Sequence, residues 1–227
     1  MTTTKPFWAH LKNTIALSAG TLVMAATLGA SAAHAAQPLA PQAAAAASSE
    51  ALSPQALVQT VVQKVLQELT GKKKLSDAQV QDVVRTQVLP YVDFRGMARS
   101  AVGFYWRRAT PTQRTQLTSQ FEKLLVRTYS GALKQVGDSN ITVEPVRASP
   151  SAQSVVVRTR VVHQGQLINI AYRMDKEAGS WKVVDMNIMG VWLVDNYRGV
   201  FADQIQNGGI EGLIRTLQAH NQKAAAS

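Results

Sequence analysis

The apolar side chains of this 227-residue chain change their repeat twice, and that restricts the folds open to it. From Leu57 to Val136 they recur every three or four residues, the spacing of a helix face. From Ile141 to Met189 they alternate, the spacing of strands with one buried side. From Leu193 the helical spacing returns. Helices, then strands joined by short turns, then helices predict an α+β domain. Turns this short favour antiparallel neighbours. The expected architecture is a twisted antiparallel sheet of about four strands with helices packed around it.

Local signals place the elements. Ser53-Pro54 is an N-cap followed by Pro at the first helical position, with Leu57, Val61, Val65 and Leu69 behind it and Gly71 as the stop. Ser76 to Gln79 is a capping box before Val80, Val83, Val84 and Val88, and Pro90 ends that helix. Asp93 caps a short helix closed by Gly103. Thr110 to Gln113 is a second capping box, opening a long helix with the stripe Leu117, Phe121, Leu124, Leu125, Thr128 and Ala132, out to Val136. Strands are expected at Ile141–Arg147, Ser154–His163, Gln166–Lys176 and Trp181–Met189, with turns at Gly165 and at Ala178-Gly179-Ser180. Leu193, Tyr197, Phe201 and Ile205 form the next helical stripe, and Gly208-Gly209 breaks it before Ile210, Leu213, Ile214 and Leu217.

The N-terminus reads as an export address. Lys5 and Lys12 precede the uncharged stretch Thr14–Ala30, and Ala33-His34-Ala35 is a small-residue cleavage site. Residues 1–35 are therefore expected to be a signal peptide cleaved after Ala35. The Ala/Pro/Gln-rich residues 36–51 are expected to be a disordered linker, 52–220 a single domain and 221–227 a frayed tail. With Lys5 and Lys12 removed, the formal charge falls from +10 to +8. Export makes nucleic acid a poor partner for that charge. An anionic membrane face or an acidic partner fits better, and basic export without such a partner is the plain alternative. The chain has no Cys, which excludes disulfides, thiol catalysis and a lipidated N-terminal Cys.

Catalytic patterns are missing. Beyond residue 35 the His residues are His163, beside a turn, and His220, near the end; neither has metal-ligand spacing. There is no nucleophile elbow and no P-loop. Asp185 and Asp195 do not form a placeable pair. Asp185 is expected on a solvated sheet face, and Asp195 in the first turn of its helix. An enzyme would have to assemble carboxylates from distant positions.

What the chain has instead is apolar surface. Val88–Val136 holds Tyr91, Phe94, Phe104, Tyr105, Trp106, Phe121 and Tyr129, half of all the aromatic rings, together with Met97. Such a segment builds either a filled core or a cavity for an apolar ligand. Met97, Met174, Met186 and Met189 suit an irregular lining. For a phospholipid, two chains of roughly 16 carbons would cost on the order of 25 kcal/mol to expose to water. A carrier must therefore cover nearly all of both tails, and it needs few headgroup contacts.

The run V-L-P-Y-V-D-F from Val88 to Phe94, Met97-Ala98-Arg99, and the F-Y-W-R-x-A-T-P-x-Q-R stretch ending at Arg114 resemble the MlaC/toluene-tolerance family. So do Trp181 to Asp185, Asn196-Tyr197-Arg198, Phe201, Gly209, Leu213-Ile214 and Leu217; the likeness spans about Leu52 to Leu217. The resemblance implies a periplasmic phospholipid carrier with no cofactor, monomeric, its helices and sheet enclosing an apolar lipid cavity. The implied partners are an outer-membrane lipoprotein–porin complex and an inner-membrane ABC transporter with an MCE-domain protein. The pathway maintains outer-membrane lipid asymmetry. The alternatives are a binder of another hydrophobic small molecule, a scaffold with a filled core, and an enzyme.

From the resemblance and the facing direction, the tail-lining candidates are Phe94, Met97, Phe121, Leu125, Ile168, Ile170, Tyr172, Val184, Met186, Ile188 and Tyr197. Arg95 and Arg99, one helical turn apart, are candidates for a headgroup or partner contact. Trp192 departs from the family pattern, where a small residue is common. It would either narrow the cavity mouth and touch headgroup atoms, or pack on the surface. Arg107 and Arg108 border a loop, and Lys72–Lys74 form a charged turn; a solvated face accounts for both.

Overall fold

The computed structural model describes residues 52–70, 75–133, 139–149 and 151–223, all within the compact unit Ala47–Ser227. The expected signal peptide and linker, Gly71, the expected Lys72–Lys74 turn, Val136 and residues 224–227 lie outside the described residues.

The first half is helical, and the expected caps are made. In α1 (Pro54–Leu69) the Ser53 Oγ accepts from Ala56 N at 3.2 Å. In α2 (Asp77–Val83) Ser76 and Gln79 satisfy one another's backbone N–H groups at 3.2 and 2.9 Å. A π-helical turn (Val84–Val88) and a 3-10 turn (Leu89–Tyr91) absorb the approach to Pro90. The Asp93 carboxylate accepts from Gly96 N at 2.8 Å to open α3 (Phe94–Val102). A 3-10 turn (Gly103–Arg107) leads to α4 (Pro111–Leu133), opened by the Thr110–Gln113 pair.

The sheet is an antiparallel meander in the order β1 (Asn140–Val143), β2 (Ser154–His163), β3 (Gln166–Glu177), β4 (Ser180–Ile188) and β5 (Val191–Trp192). Five strands stand where about four were expected. The extra one is a two-residue strand pairing Ile188 with Val191 and Asn187 with Trp192. Three hairpins turn on residue pairs with positive φ, Gln164-Gly165, Ala178-Gly179 and Met189-Gly190, each ending in glycine. That backbone matches the twist of the flanking strands. The last helix, α5 (Leu193–Lys223), bends at Gly209, whose φ of 65° and ψ of −177° suit glycine alone. The helix continues through Lys223 and buries Asn221, so residues 221–223 are not a frayed tail. The Asn221 amide donates to the backbone and side-chain oxygens of Gln120 at 3.0 and 2.9 Å.

The inner face of the sheet carries Val155, Val157 and Val161 of β2, and Ile168, Ile170, Tyr172 and Met174 of β3, in register. Leu57 and Val58 of α1 cover one part of it, packing with Val155, Val157, Met174 and Val183. A second cluster joins α3, α4 and α5 through Met97, Leu117, Phe121, Leu125, Phe201, Leu213 and Leu217, with Met186 and Ile188 of β4 against it. α3 is tied to the sheet by backbone: Asp93 N donates to Val183 O at 2.9 Å, and Val92 bridges Val183 in parallel.

Candidate functional site

The two clusters meet at a seam. Met186 and Val92 pack against both of them. Around that seam the inner face of the sheet changes character. Under α1, Val155, Val157, Met174 and Val183 are buried; toward the other end Thr159 and Val161 of β2 stay buried while Ile168, Ile170 and Ile188 are only half-buried. An apolar floor left partly uncovered by its own helices is the feature to explain, because burying it fully would stabilise the fold at roughly 25 cal/mol per Å².

Most predicted lining residues converge here. Met97, Phe121 and Leu125 are buried in the helical cluster, and Phe94, Met186, Ile188 and Tyr197 pack against it half-buried. Tyr172 packs against the cluster under α1 and pairs across the strands with Met186, as Ile170 does with Ile188. The rings of Phe121, Tyr197 and Phe201 form a triangle with centroids 5.1, 5.2 and 5.6 Å apart. Phe201, one helical turn beyond Tyr197, belongs in this group although it was read only as part of a stripe.

Val184 does not join them as expected. A bulge between Arg173 and Met174 pairs Met174 with Val183 and Arg173 with Asp185, leaving Val184 as the extra residue. Val183 takes the core position instead, 8% exposed. The expectation of a solvated Asp185 also fails: on the outer face beside Arg173 and the start of α5, it is 2% exposed. Asp185 Oδ1 accepts from Met186 N at 2.8 Å and from Val194 N at 3.0 Å, and Arg173 lies 3.4 Å from Oδ2. Burial pushes this carboxyl above the usual range, opposed by the two backbone N–H groups and by Arg173. Its role is to anchor the start of α5 to the sheet. Asp185→Ala, leaving the buried Val194 N–H unpaired and Arg173 without its anion, is expected to cost about 2–3 kcal/mol in a denaturant titration. Asp195 sits in the first turn of α5, 3.2 Å from Arg198.

Trp192 lies on the opposite face of the sheet from the lining residues, its ring 4.3 Å from the Arg173 guanidinium. Arg95 and Arg99 are exposed on α3. His163 Nδ1 is 3.0 Å from Ser139 Oγ beside its hairpin turn.

The polar groups at the seam are hydroxyls held by one another. Burial pushes the Tyr197 phenol well up, with the hydrogen-bonded Tyr129 phenol adding to the shift. Burial raises Tyr172 likewise, and its hydroxyl lies 3.4 Å from Thr159 Oγ1. Both remain neutral donors and acceptors, suited to ester or glycerol oxygens and unsuited to proton abstraction at neutral pH. Among the described residues no group of three or more His, Cys, Asp or Glu could hold a metal ion, and no helix is long and apolar enough to cross a membrane. A separate cleft of about 630 Å³ lies among Arg85, Lys123, Arg127, Gln120 and Gln218, and none of the predicted lining residues borders it.

Known proteins resemble this chain in sequence and in fold. The chain is 28% identical over 157 residues to the toluene tolerance protein ttg2D of Pseudomonas putida, covering 66% of this chain and 73% of that one. It is 23% identical over 169 residues to the intermembrane phospholipid transport system binding protein MlaC of Haemophilus influenzae, covering 71% of this chain and 79% of that one. A phospholipid-binding protein from Ralstonia solanacearum, solved in complex with a phospholipid, superposes with a TM-score of 0.72 at 36% identity, covering 77% of this chain and 99% of that one. The family model described as MlaC protein matches residues 59–219, and the chain belongs to the MlaC family.

Proposed function

We propose that the protein is a soluble periplasmic phospholipid carrier that binds its cargo without transforming it. The observation that carries the reading is the half-buried apolar row Ile168, Ile170 and Ile188 on the inner sheet face, with Ile188 packed against the helical cluster that holds Phe121, Tyr197 and Phe201. The relative solved with a phospholipid has the same fold at 36% identity, which supports an acyl-chain ligand over a smaller apolar one. The acyl tails would enter at the seam and part the sheet from α3–α5. Phe94, Met97, Leu125, Tyr172 and Met186 would line them.

In this reading residues 1–35 are removed on export, 36–51 are a linker, and the lipid-binding domain runs from residue 52 through the end of α5 at Lys223. The carrier works as a monomer without cofactor. It shuttles phospholipid between an outer-membrane lipoprotein–porin complex and an inner-membrane ABC transporter with an MCE-domain protein, maintaining outer-membrane lipid asymmetry. Arg95 and Arg99 contact the headgroup or one of these partners. The Arg95→Ala, Arg99→Ala double variant is expected to slow transfer several-fold while changing stability by no more than about 0.5 kcal/mol; unchanged transfer removes both residues from the site.

The test is transfer of a fluorescent phospholipid from donor to acceptor vesicles. The protein is expected to accelerate it in proportion to its concentration. Transfer no faster than without protein would end the carrier reading.

A further inference from the structure

Phe104 is the large apolar side chain that the fold leaves most exposed among the described residues, at 59%. It stands in the 3-10 turn between α3 and α4, and that turn is built to hold it there. Gly103 leaves α3 with a φ of 62°, and nothing lies within 4 Å of where its Cβ would be, so the chain emerges into open space. Trp106, two residues on, is 6% exposed and roots the turn in the helical cluster. Arg114 of α4 clamps it from below, donating to Trp106 O at 3.0 Å and to Arg107 O at 3.2 Å. Arg108 N and Ala109 N close it on Tyr105 O. Around the exposed ring stand two cations, with the Arg107 and Arg108 guanidinium carbons 5.1 and 5.2 Å from its centroid.

Within the fold the ring meets the edge of Tyr105, 6.0 Å between centroids. The ring is not shielded from water, and two like charges are gathered beside it. Cation–π attraction offsets that repulsion only in part. A rigid projecting turn with one aromatic at its tip and guanidinium groups at its base matches the layering of a bilayer interface. There the ring sits among headgroups and upper acyl chains, and the cations sit at the phosphates. A protein hot spot would instead be ringed by contacts that exclude water; this ring has the edge of Tyr105 and the two guanidinium groups beside it and stays 59% exposed.

We propose that the Gly103–Arg107 turn together with Arg108 is a membrane-surface contact. It would hold the protein transiently on bilayers containing anionic phospholipid, with Phe104 inserted and Arg107 and Arg108 on phosphates. The net positive charge of the chain favours the same encounter. This surface is distinct from the lining residues, and the proposal does not depend on what the protein carries.

The experiment is co-sedimentation of the processed protein with phosphatidylcholine vesicles, with and without about a third phosphatidylglycerol, at low and high salt. Phe104→Ala and the Arg107→Ala, Arg108→Ala double variant are run beside the wild type, with thermal unfolding and bound-lipid content as controls for folding and cargo. The wild type is expected to bind the anionic vesicles and to release at high salt. The double variant should lose roughly 25-fold in partition, at about fivefold per arginine near an anionic surface. Phe104→Ala should lose about fivefold or more through lost apolar insertion, with cargo content unchanged in both. The proposal is overturned by a wild type that ignores anionic vesicles, or by variants that bind as the wild type does. It is also overturned by a Phe104→Ala variant that binds normally while the arginine variant does not, which would leave charge alone at work.

Discussion

Phe121→Ala is expected to lower the stability of the protein by about 3–5 kcal/mol, the cost of removing a fully enclosed ring from a packed cluster. Phe121 is 0% exposed, and it holds the triangle with Tyr197 and Phe201 that joins α4 to α5. Part of the loss comes from those two ring contacts, at about 0.5–1.5 kcal/mol each; the rest is the vacated volume. The volume lies beside the proposed acyl slot. Bound lipid that reaches into it would therefore restore part of the stability by mass action. Urea unfolding of stripped and reloaded protein measures both quantities. A change under about 1 kcal/mol in the stripped variant would show that the triangle does not carry the contact between these helices.

Ile170→Trp is expected to reduce bound phospholipid at least tenfold while the protein stays folded. Ile170 is half-buried on the inner face, with Thr159 opposite it on β2 and Ile188 opposite on β4. If the space above it is the acyl slot, an indole occupies that space in place of a tail and costs little. If the space is part of a filled core, the extra volume forces strain of about 1–3 kcal/mol. The midpoint of unfolding would then fall with no change in lipid content. Parallel measurements of lipid content and of the unfolding midpoint separate the two cases.

The helical half was legible because its signals are local. Ser53, Ser76, Asp93 and Thr110 each cap the helix they were expected to cap, since a cap needs only residues within one turn. The hairpin turns at Gly165 and Gly179 were legible for the same reason, through their glycines, whereas the Met189-Gly190 turn into β5 was not expected. Alternation put the candidate residues of β3 on a common face, because a regular strand keeps Ile168, Ile170 and Tyr172 on one side.

The corrections come from interactions between distant residues. The bulge opposite Arg173 leaves no trace in the alternation of β4, so Val183 takes the core position that alternation assigned to Val184, while Asp185 keeps the outer face beside Arg173. Burial of Asp185 depends on Arg173, the Val194 N–H and the shelter of α5, twelve and nine residues away on either side. Trp192 went to the outer face because β5, only two residues long, pairs it with Asn187. Phe104 read as one more aromatic of an apolar segment. Only the turn built by Gly103, Trp106 and Arg114 shows that it points outward.

The most direct test of the carrier account is native mass spectrometry of the purified processed protein, followed by organic extraction and lipid analysis. The account predicts a stoichiometric mass increment that extracts as phospholipid, reduced in Ile170→Trp. A ligand-free protein that also takes up no phospholipid from vesicles would contradict it and leave the seam as a filled core.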